Sequence, residues 1–247
     1  MTKTLILIPS RMAASRLPGK PLLKINNLSI ISHVFKKAEE AEIGEVVVAT
    51  ENQEILEDVE KNGGRAILTK NTHKTGTDRI FEAFKKLEIK NVDYILNLQG
   101  DEPNIDKEDI INLNNFMINF DVELGTLASQ IQDSNMLSNK NVVKVVTESK
   151  LEKNNFPIAL NFMRDNLIKN RKYIYHHIGI YSYKVSTLEK FVSLDQTNNE
   201  KINKLEQLRA LDNKLKINVA LAKSSPIGVD TKEDYLAIKK IMEYKKK

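Results

Sequence analysis

Thr4-Leu5-Ile6-Leu7-Ile8-Pro9-Ser10-Arg11-Met12-Ala13-Ala14-Ser15-Arg16-Leu17-Pro18-Gly19-Lys20-Pro21 joins a short apolar run to a loop dense in positive charge. Thr4–Ile8 reads as a buried strand that stops at Pro9. Behind it, Pro9 to Pro21 carries the cations Arg11, Arg16 and Lys20, two serines, small side chains and a Pro-Gly turn. Arginine grips phosphate oxygens through paired N–H groups and lysine acts as a point charge, so the two together suit a polyphosphate. Small side chains let the backbone approach the ligand closely. Ser10 to Lys20 is therefore expected to hold the triphosphate of a nucleotide. The Gly-x4-Gly-Lys-Ser/Thr spacing of a Walker loop is absent.

Outward from this stretch, strands and helices alternate. Strands are expected at Glu45–Thr50, Arg65–Thr69 and Asp93–Leu98, and helices at Ser29–Glu42, Glu51–Asn62, Asp78–Leu87 and Asp106–Phe120. Ile30, Ile31, Val34, Phe35 and Ala38 share one face of the first helix, which Ser29 can cap, and Asn62-Gly63-Gly64 stops the second. Short connections in a β-α-β-α order argue a parallel sheet covered by helices, with ligands at the carboxyl ends of the strands. The chemically unusual segments Pro9–Pro21, Lys70–Arg79 and Gln99–Pro103 all follow strands. After residue 121 the pattern changes. Leu124–Gln130, Val142–Thr147, Ala159–Phe162, His176–Tyr183 and Ile217–Leu221 read as strands, and Lys201–Leu211 and Thr231–Tyr244 as helices.

Composition narrows the class. No run of about 18 apolar residues is present, so no membrane span and no membrane partner are expected. Met1–Ile8 is too short for the apolar core of a signal peptide, and a cytoplasmic protein is the simplest reading. The absence of cysteine excludes disulfides, thiolate metal sites and cysteine nucleophiles. A metal, if bound, is a hard ion held by carboxylates. The net charge of +5 is spread over lysine-rich helix faces and the tail Lys245–Lys247. Without an aromatic-plus-basic platform it points to no nucleic-acid partner. A dinucleotide-binding Gly-x-Gly-x-x-Gly after the first strand is also missing, which argues against a dehydrogenase.

Five further segments carry polar chemistry, each with a plain structural alternative. In Gln99-Gly100-Asp101-Glu102-Pro103, Asp101 either helps to hold Mg²⁺ or caps a local turn. In Gly228-Val229-Asp230-Thr231, Asp230 either binds metal or caps the closing helix, and Thr231 can cap in its place. Thr75 and Gly76 open a helix whose N-terminus attracts anions and hydroxyls, or they simply cap it. Alternation puts His177, Gly179 and Tyr181 on one strand face, which suits a sugar or a structural histidine pair. Leu205, Leu208 and Leu211 form a buried stripe, beside which Glu206 and Gln207 are either ligands or a solvated face.

Together these segments resemble a known family, in the same order, over nearly the whole chain. The matching stretches are Arg16-Leu17-Pro18-Gly19-Lys20-Pro21-Leu22, Gly76-Thr77-Asp78-Arg79, Asn97-Leu98-Gln99-Gly100-Asp101-Glu102-Pro103, Val142-Val143-Lys144-Val145-Val146, His177-Ile178-Gly179-Ile180-Tyr181, Leu205-Glu206-Gln207-Leu208-Arg209 and Gly228-Val229-Asp230-Thr231. They resemble the 3-deoxy-manno-octulosonate (Kdo) cytidylyltransferases. The resemblance implies an α/β, Rossmann-like nucleotidyltransferase fold: a mostly parallel central sheet flanked by helices, with a smaller mixed sheet extension. It implies a single nucleotidyltransferase domain over residues 1–247. The nucleotide-binding part is expected at about 1–120, the sugar-binding and dimerisation part at about 121–225, and the closing helix at 231–244.

The resemblance also implies the reaction CTP + Kdo → CMP-Kdo + diphosphate, which activates a lipopolysaccharide sugar, with Mg²⁺ and a homodimer. Arg11, Arg16 and Lys20 become triphosphate ligands. Pro9, Ser10, Thr75, Gly76 and Gln99 fall at nucleotide contacts, Gln99 also at the sugar. Asp101 and Asp230 become the Mg²⁺ pair, and Lys20, Arg11, Asp101 and Asp230 the catalytic set. Arg164, His177, Tyr181, Glu206 and Gln207 line the sugar side. The nearest rivals are a cytidylyltransferase for 8-amino-Kdo or a nonulosonic acid and, further off, a non-enzymatic nucleic-acid binder. The chain departs from the family pattern at Asn161 and Met163, where tyrosine and serine are usual, and at Met12, an aromatic position.

Overall fold

The computed structural model describes residues 2–13, 16–164 and 172–244. Ala14, Ser15 and the lysine run at 245–247 lie outside them. The chain divides into two compact units. The first holds residues 1–110 and 226–247, and the second residues 111–225.

The first unit is the α/β part. Its elements are β1 (Thr4–Ser10), β2 (Lys24–Ile25), β3 (Leu28–Ser29), α1 (Ile30–Glu39), β4 (Gly44–Thr50), α2 (Gln53–Lys61), β5 (Ala66–Leu68), α3 (Gly76–Leu87) and β6 (Tyr94–Asn97). The strands run in the order β6-β1-β4-β5, all parallel, with Thr4 opposite both Gly44 and Tyr94. Leu5, Ile6, Leu7 and Ile8 are fully buried, as a strand covered on both faces requires, and this is why β1 is a continuous apolar run. β1 reaches Ser10, two residues beyond the expected end.

Ser29 caps α1, its Oγ accepting from the Ser32 N–H at 3.1 Å. α2 ends at Asn62 and Gly63, whose φ of 87° is the left-handed geometry that glycine takes freely. α3 begins at Gly76 rather than Asp78, because Thr75 is the cap and accepts from the Asp78 N–H at 3.2 Å. A small β2-β3 hairpin lay outside the sequence expectations. Its turn residues Asn26 and Asn27 both have positive φ, 49° and 64°.

α4 (Lys107–Asn119) spans the division between the units. The second unit then contains β7 (Leu124–Ser129), α5 (Asn135–Ser138), β8 (Lys144–Thr147), β9 (Ala159–Met163), β10 (Ile174–Lys184), α6 (Val185–Ser193), α7 (Asn198–Asn203), α8 (Leu208–Asp212) and β11 (Asn218–Leu221). β7 pairs with β11 in parallel and with β10 antiparallel; β8 pairs antiparallel with β10 and β9. The mixed sheet expected after residue 121 is present.

Two expectations are corrected here. The helix expected over Lys201–Leu211 is two short helices, because Lys204 turns left-handed with φ 52° and the Leu205 N–H returns to the Glu200 carbonyl. Leu205 and Leu208 are still buried, one from the turn and one from α8. α6 was not expected.

The chain closes with α9 (Lys232–Tyr244), which belongs to the first unit. The Asp234 carboxylate accepts from the N–H groups of Asp230 and Thr231, and Thr231 Oγ1 accepts from the Asp234 N–H at 3.2 Å. This reciprocal cap uses Thr231 and Asp234 and leaves the Asp230 carboxylate for other partners. Val229 and Ile238 pack with Ile25 and Ile30 in one buried cluster.

Candidate active site

The first unit holds a cavity of about 310 Å³ at the carboxyl ends of its parallel strands. Pro9 and Ser10 end β1. Thr75 and Gly76 begin α3. Gln99, Gly100 and Asp101 follow β6. Arg11, Arg16 and Lys20 come from the loop after β1, and Asp230 from the turn before α9. All of these residues line the cavity. The nucleotide-side residues read from the sequence, and both aspartates, thus surround one space.

The loop is folded on itself. Gly19, with φ 72°, returns its N–H to the Met12 carbonyl at 3.2 Å, and the Met12 N–H reaches Asn52 Oδ1 at 2.9 Å. A short helical turn over Lys20–Leu22 then aims the Lys20 side chain inward. Close packing explains Gly100. A Cβ there would stand 3.0 Å from the Pro9 carbonyl oxygen and from Ile31 Cδ1. A side chain at 100 would therefore crowd the strand end carrying Asp101 against the end of β1. The Val229 N–H donates to the Asp101 carbonyl at 2.9 Å, which ties the segment before Asp230 to the same place.

Charges inside the cavity are paired. Lys20 Nζ lies 2.8 Å from Asp101 Oδ2 and 3.3 Å from Asp230 Oδ1, and Arg16 Nη2 lies 2.8 Å from Asp230 Oδ2. Burial alone would lower the Lys20 pKa, but the two carboxylates outweigh it and raise the pKa above the ordinary lysine value. Arg11 is exposed at the rim. Ser10 Oγ is buried with no hydrogen-bond partner among the described residues, an orphan in the cavity wall of the kind a ligand satisfies.

Among the described residues no cluster of three or more histidine, aspartate or glutamate side chains is gathered for a metal. What the cavity offers is two carboxylates already converging on one cationic atom. That donor set fits Mg²⁺, which takes one or two protein carboxylates and completes its shell with water and phosphate.

Arg79 was quoted from the sequence only as part of a motif, yet it also lines the cavity. It is buried, donates to Thr69 Oγ1 at 2.7 Å and pairs with the Glu51 carboxylate.

Of the residues expected at the sugar, Gln99 lines the cavity of the first unit, and Arg164, His177, Tyr181, Glu206 and Gln207 lie in the second unit. His177 and Tyr181 flank a bulge in β10 and keep the same face, with ring centroids 5.5 Å apart. Thr126 Oγ1 donates to the Ile180 carbonyl at 2.7 Å, so at 3.0 Å it accepts a hydrogen bond from the His177 Nε2–H. Burial, then the charges of His176 and Arg164, lower the His177 pKa to about 3, so the ring is neutral at physiological pH. Tyr181 is buried, and its hydroxyl has no hydrogen-bond partner among the described residues. Burial, then Tyr183 and Glu206, raise its pKa well above the ordinary tyrosine value, which keeps the proton on a donor. Gln207 is buried just before α8. Arg164 Nη1 donates to the Lys140 carbonyl at 3.2 Å.

The family model for cytidylyltransferases matches residues 5–217. The chain belongs to the cytidylyltransferase family. The enzyme is therefore a nucleotidyltransferase. It is 43% identical over 244 residues to the 3-deoxy-manno-octulosonate cytidylyltransferase of Rhodopseudomonas palustris (strain BisB18), covering 98% of this chain and 99% of that one. It is 42% identical to the protein of the same name from Thermodesulfovibrio yellowstonii, with 94% of each covered. A solved structure of CMP:2-keto-3-deoxy-manno-octonic acid synthetase complexed with CTP superposes with a TM-score of 0.89 at 33% identity, covering 99% of this chain and 100% of that one. No described helix is long and apolar enough to cross a membrane.

Proposed function

We propose that the enzyme transfers the cytidylyl group of CTP to Kdo, releasing diphosphate and forming CMP-Kdo for lipopolysaccharide assembly. The observation that carries this reading is the single cavity in which Arg11, Arg16, Lys20 and the orphan Ser10 hydroxyl meet the Asp101–Asp230 pair. The relatives named for this reaction, matched over nearly their whole length, support the choice of CTP and Kdo. The reading takes residues 1–247 as one working domain, cytoplasmic and homodimeric, with the boundaries given above.

The anomeric hydroxyl of the sugar attacks the α-phosphorus in line. The new bond is sugar oxygen to α-phosphorus, and the bond to the bridging oxygen of the diphosphate breaks. Arg11, Arg16 and Lys20 neutralise the triphosphate, orient it and take up the charge of the departing diphosphate. Asp101 and Asp230 would hold Mg²⁺, which when bound acidifies the attacking hydroxyl and stabilises phosphate charge. Neutral His177 and protonated Tyr181 give the sugar hydroxyls uncharged partners, and Arg164 offers a charge to its carboxylate. Glu206 and Gln207 complete the sugar contacts.

Diphosphate release, measured with each nucleoside triphosphate with and without Kdo and Mg²⁺, tests the reading. Release is expected only from CTP with Kdo and Mg²⁺, and its absence from that mixture overturns the proposal. Running the assay with 8-amino-Kdo and a nonulosonic acid separates the sugar choice from the nucleotide choice. Asp101→Ala and Asp230→Ala should each abolish turnover with an unchanged circular-dichroism spectrum. Retained activity in either removes that residue from the metal pair.

A further inference from the structure

Resting on that reading of Asp101 and Asp230, we infer that Lys20 is their resident counter-ion. The pair then becomes available to a divalent cation only when a nucleotide triphosphate draws Lys20 and Arg16 away. The geometry carries the argument. One ammonium nitrogen touches both carboxylates, at 2.8 and 3.3 Å, and Arg16 takes the second oxygen of Asp230 at 2.8 Å. Two negative charges therefore face two positive ones, and the group as a whole presents no net attraction to a second cation.

Burial fixes which partner holds the other in place. The Lys20 side chain is 13% exposed, whereas those of Asp101, Asp230 and Arg16 are 31%, 48% and 52% exposed. Lys20 is thus the most enclosed member of the group, and the carboxylates are more open to solvent. A cation arriving from solvent must break two charge-assisted contacts to Lys20 and leave that ammonium uncompensated, which opposes entry. A triphosphate removes the obstacle. It offers Lys20 and Arg16 phosphate oxygens in the same cavity, and it brings excess negative charge that the freed carboxylates reinforce. Metal and nucleotide then enter as one complex, and the empty enzyme does not collect free cations.

Mn²⁺ binding, read by the electron paramagnetic resonance of the free ion, tests this without reference to turnover. Nucleotide-free wild type should bind Mn²⁺ weakly, and Lys20→Met should bind it at least roughly tenfold more tightly, since one of the two competing cations is gone. Arg16→Gln, a change at a half-exposed position, should show a smaller gain in the same direction. Adding Asp101→Asn to Lys20→Met should erase the gain. Equal Mn²⁺ affinity in wild type and both single variants overturns the inference. A separate arm distinguishes the underlying reading. If Asp101→Asn does not weaken Mn²⁺ binding in the presence of CTP, the carboxylate pair is not the metal site at all.

Discussion

Arg209 and Glu200 make the most informative perturbation in the second unit. Arg209 Nε and Nη2 donate to the two Glu200 oxygens at 2.9 and 2.7 Å, with side-chain exposures of 3% and 4%. The guanidinium lies over the Phe191 ring, 4.7 Å from its centroid, and Gln196 donates to the same carboxylate. Arg209→Met leaves a carboxylate buried without its counter-charge. Glu200→Leu leaves a guanidinium in the same condition. Each should cost about 3–5 kcal/mol, the usual loss when one member of a buried pair is removed. For a chain of this size that corresponds to a fall of on the order of 10 °C in melting temperature. The double variant removes both charges and fills the space with apolar atoms, so it should lose clearly less than the two single losses added together. Urea and thermal unfolding of all four proteins, followed by circular dichroism, provides the measurement. Single losses below about 1 kcal/mol, or strict additivity, would refute the assignment of a desolvated, mutually dependent pair.

Two further outcomes follow from the same structure. His177 has its pKa depressed from 6.5 to about 3, so between those values the unfolded chain binds a proton that the folded chain refuses. Stability from this group is complete above about pH 6.5 and is lost as pH falls toward 3. Urea midpoints at pH 7.5 and 5 should therefore drop more for wild type than for His177→Gln, and parallel drops would contradict it. Gly44→Ala would place a Cβ 1.9 Å from the Thr4 carbonyl oxygen, a backbone atom that can yield only by parting β1 from β4. A loss of about 1–3 kcal/mol or more is expected in urea unfolding, and an unshifted midpoint would show that the two strands lie further apart at that end.

The first unit was legible because its central strands β1, β4 and β6 are largely buried. Leu5–Ile8 and Val46–Ala49 announce themselves as apolar runs, and Ser29, Thr75 and Thr231 mark helix starts by simple capping chemistry. The hairpin at Lys24–Ser29 was missed although Asn26-Asn27 carried its signal, two residues that tolerate left-handed backbone between short strands. The break at Lys204 left no such mark. Leu205 and Leu208 kept the spacing of a continuous helix while the backbone turned between the residues before them. At the site, the cations of the loop were visible as charge density. Their pairing was not, because Lys20 stands 81 positions from Asp101 and 210 from Asp230, and no local pattern reports such a contact.

The first unit is assembled from two pieces of chain, residues 1–110 and 226–247, and this orders events during synthesis. The ribosome delivers the cationic loop and Asp101 first and Asp230 only after the whole second unit. Until then the nascent protein has an unbalanced positive loop, half of the carboxylate pair, and an Ile25–Ile30 surface still waiting for Val229 and Ile238 to cover it. Translation halted within residues 111–225 yields a product that contains the cations yet lacks the complete pair. On the proposed role of Asp101 and Asp230, the order of segments along the chain withholds nucleotide chemistry from unfinished chains.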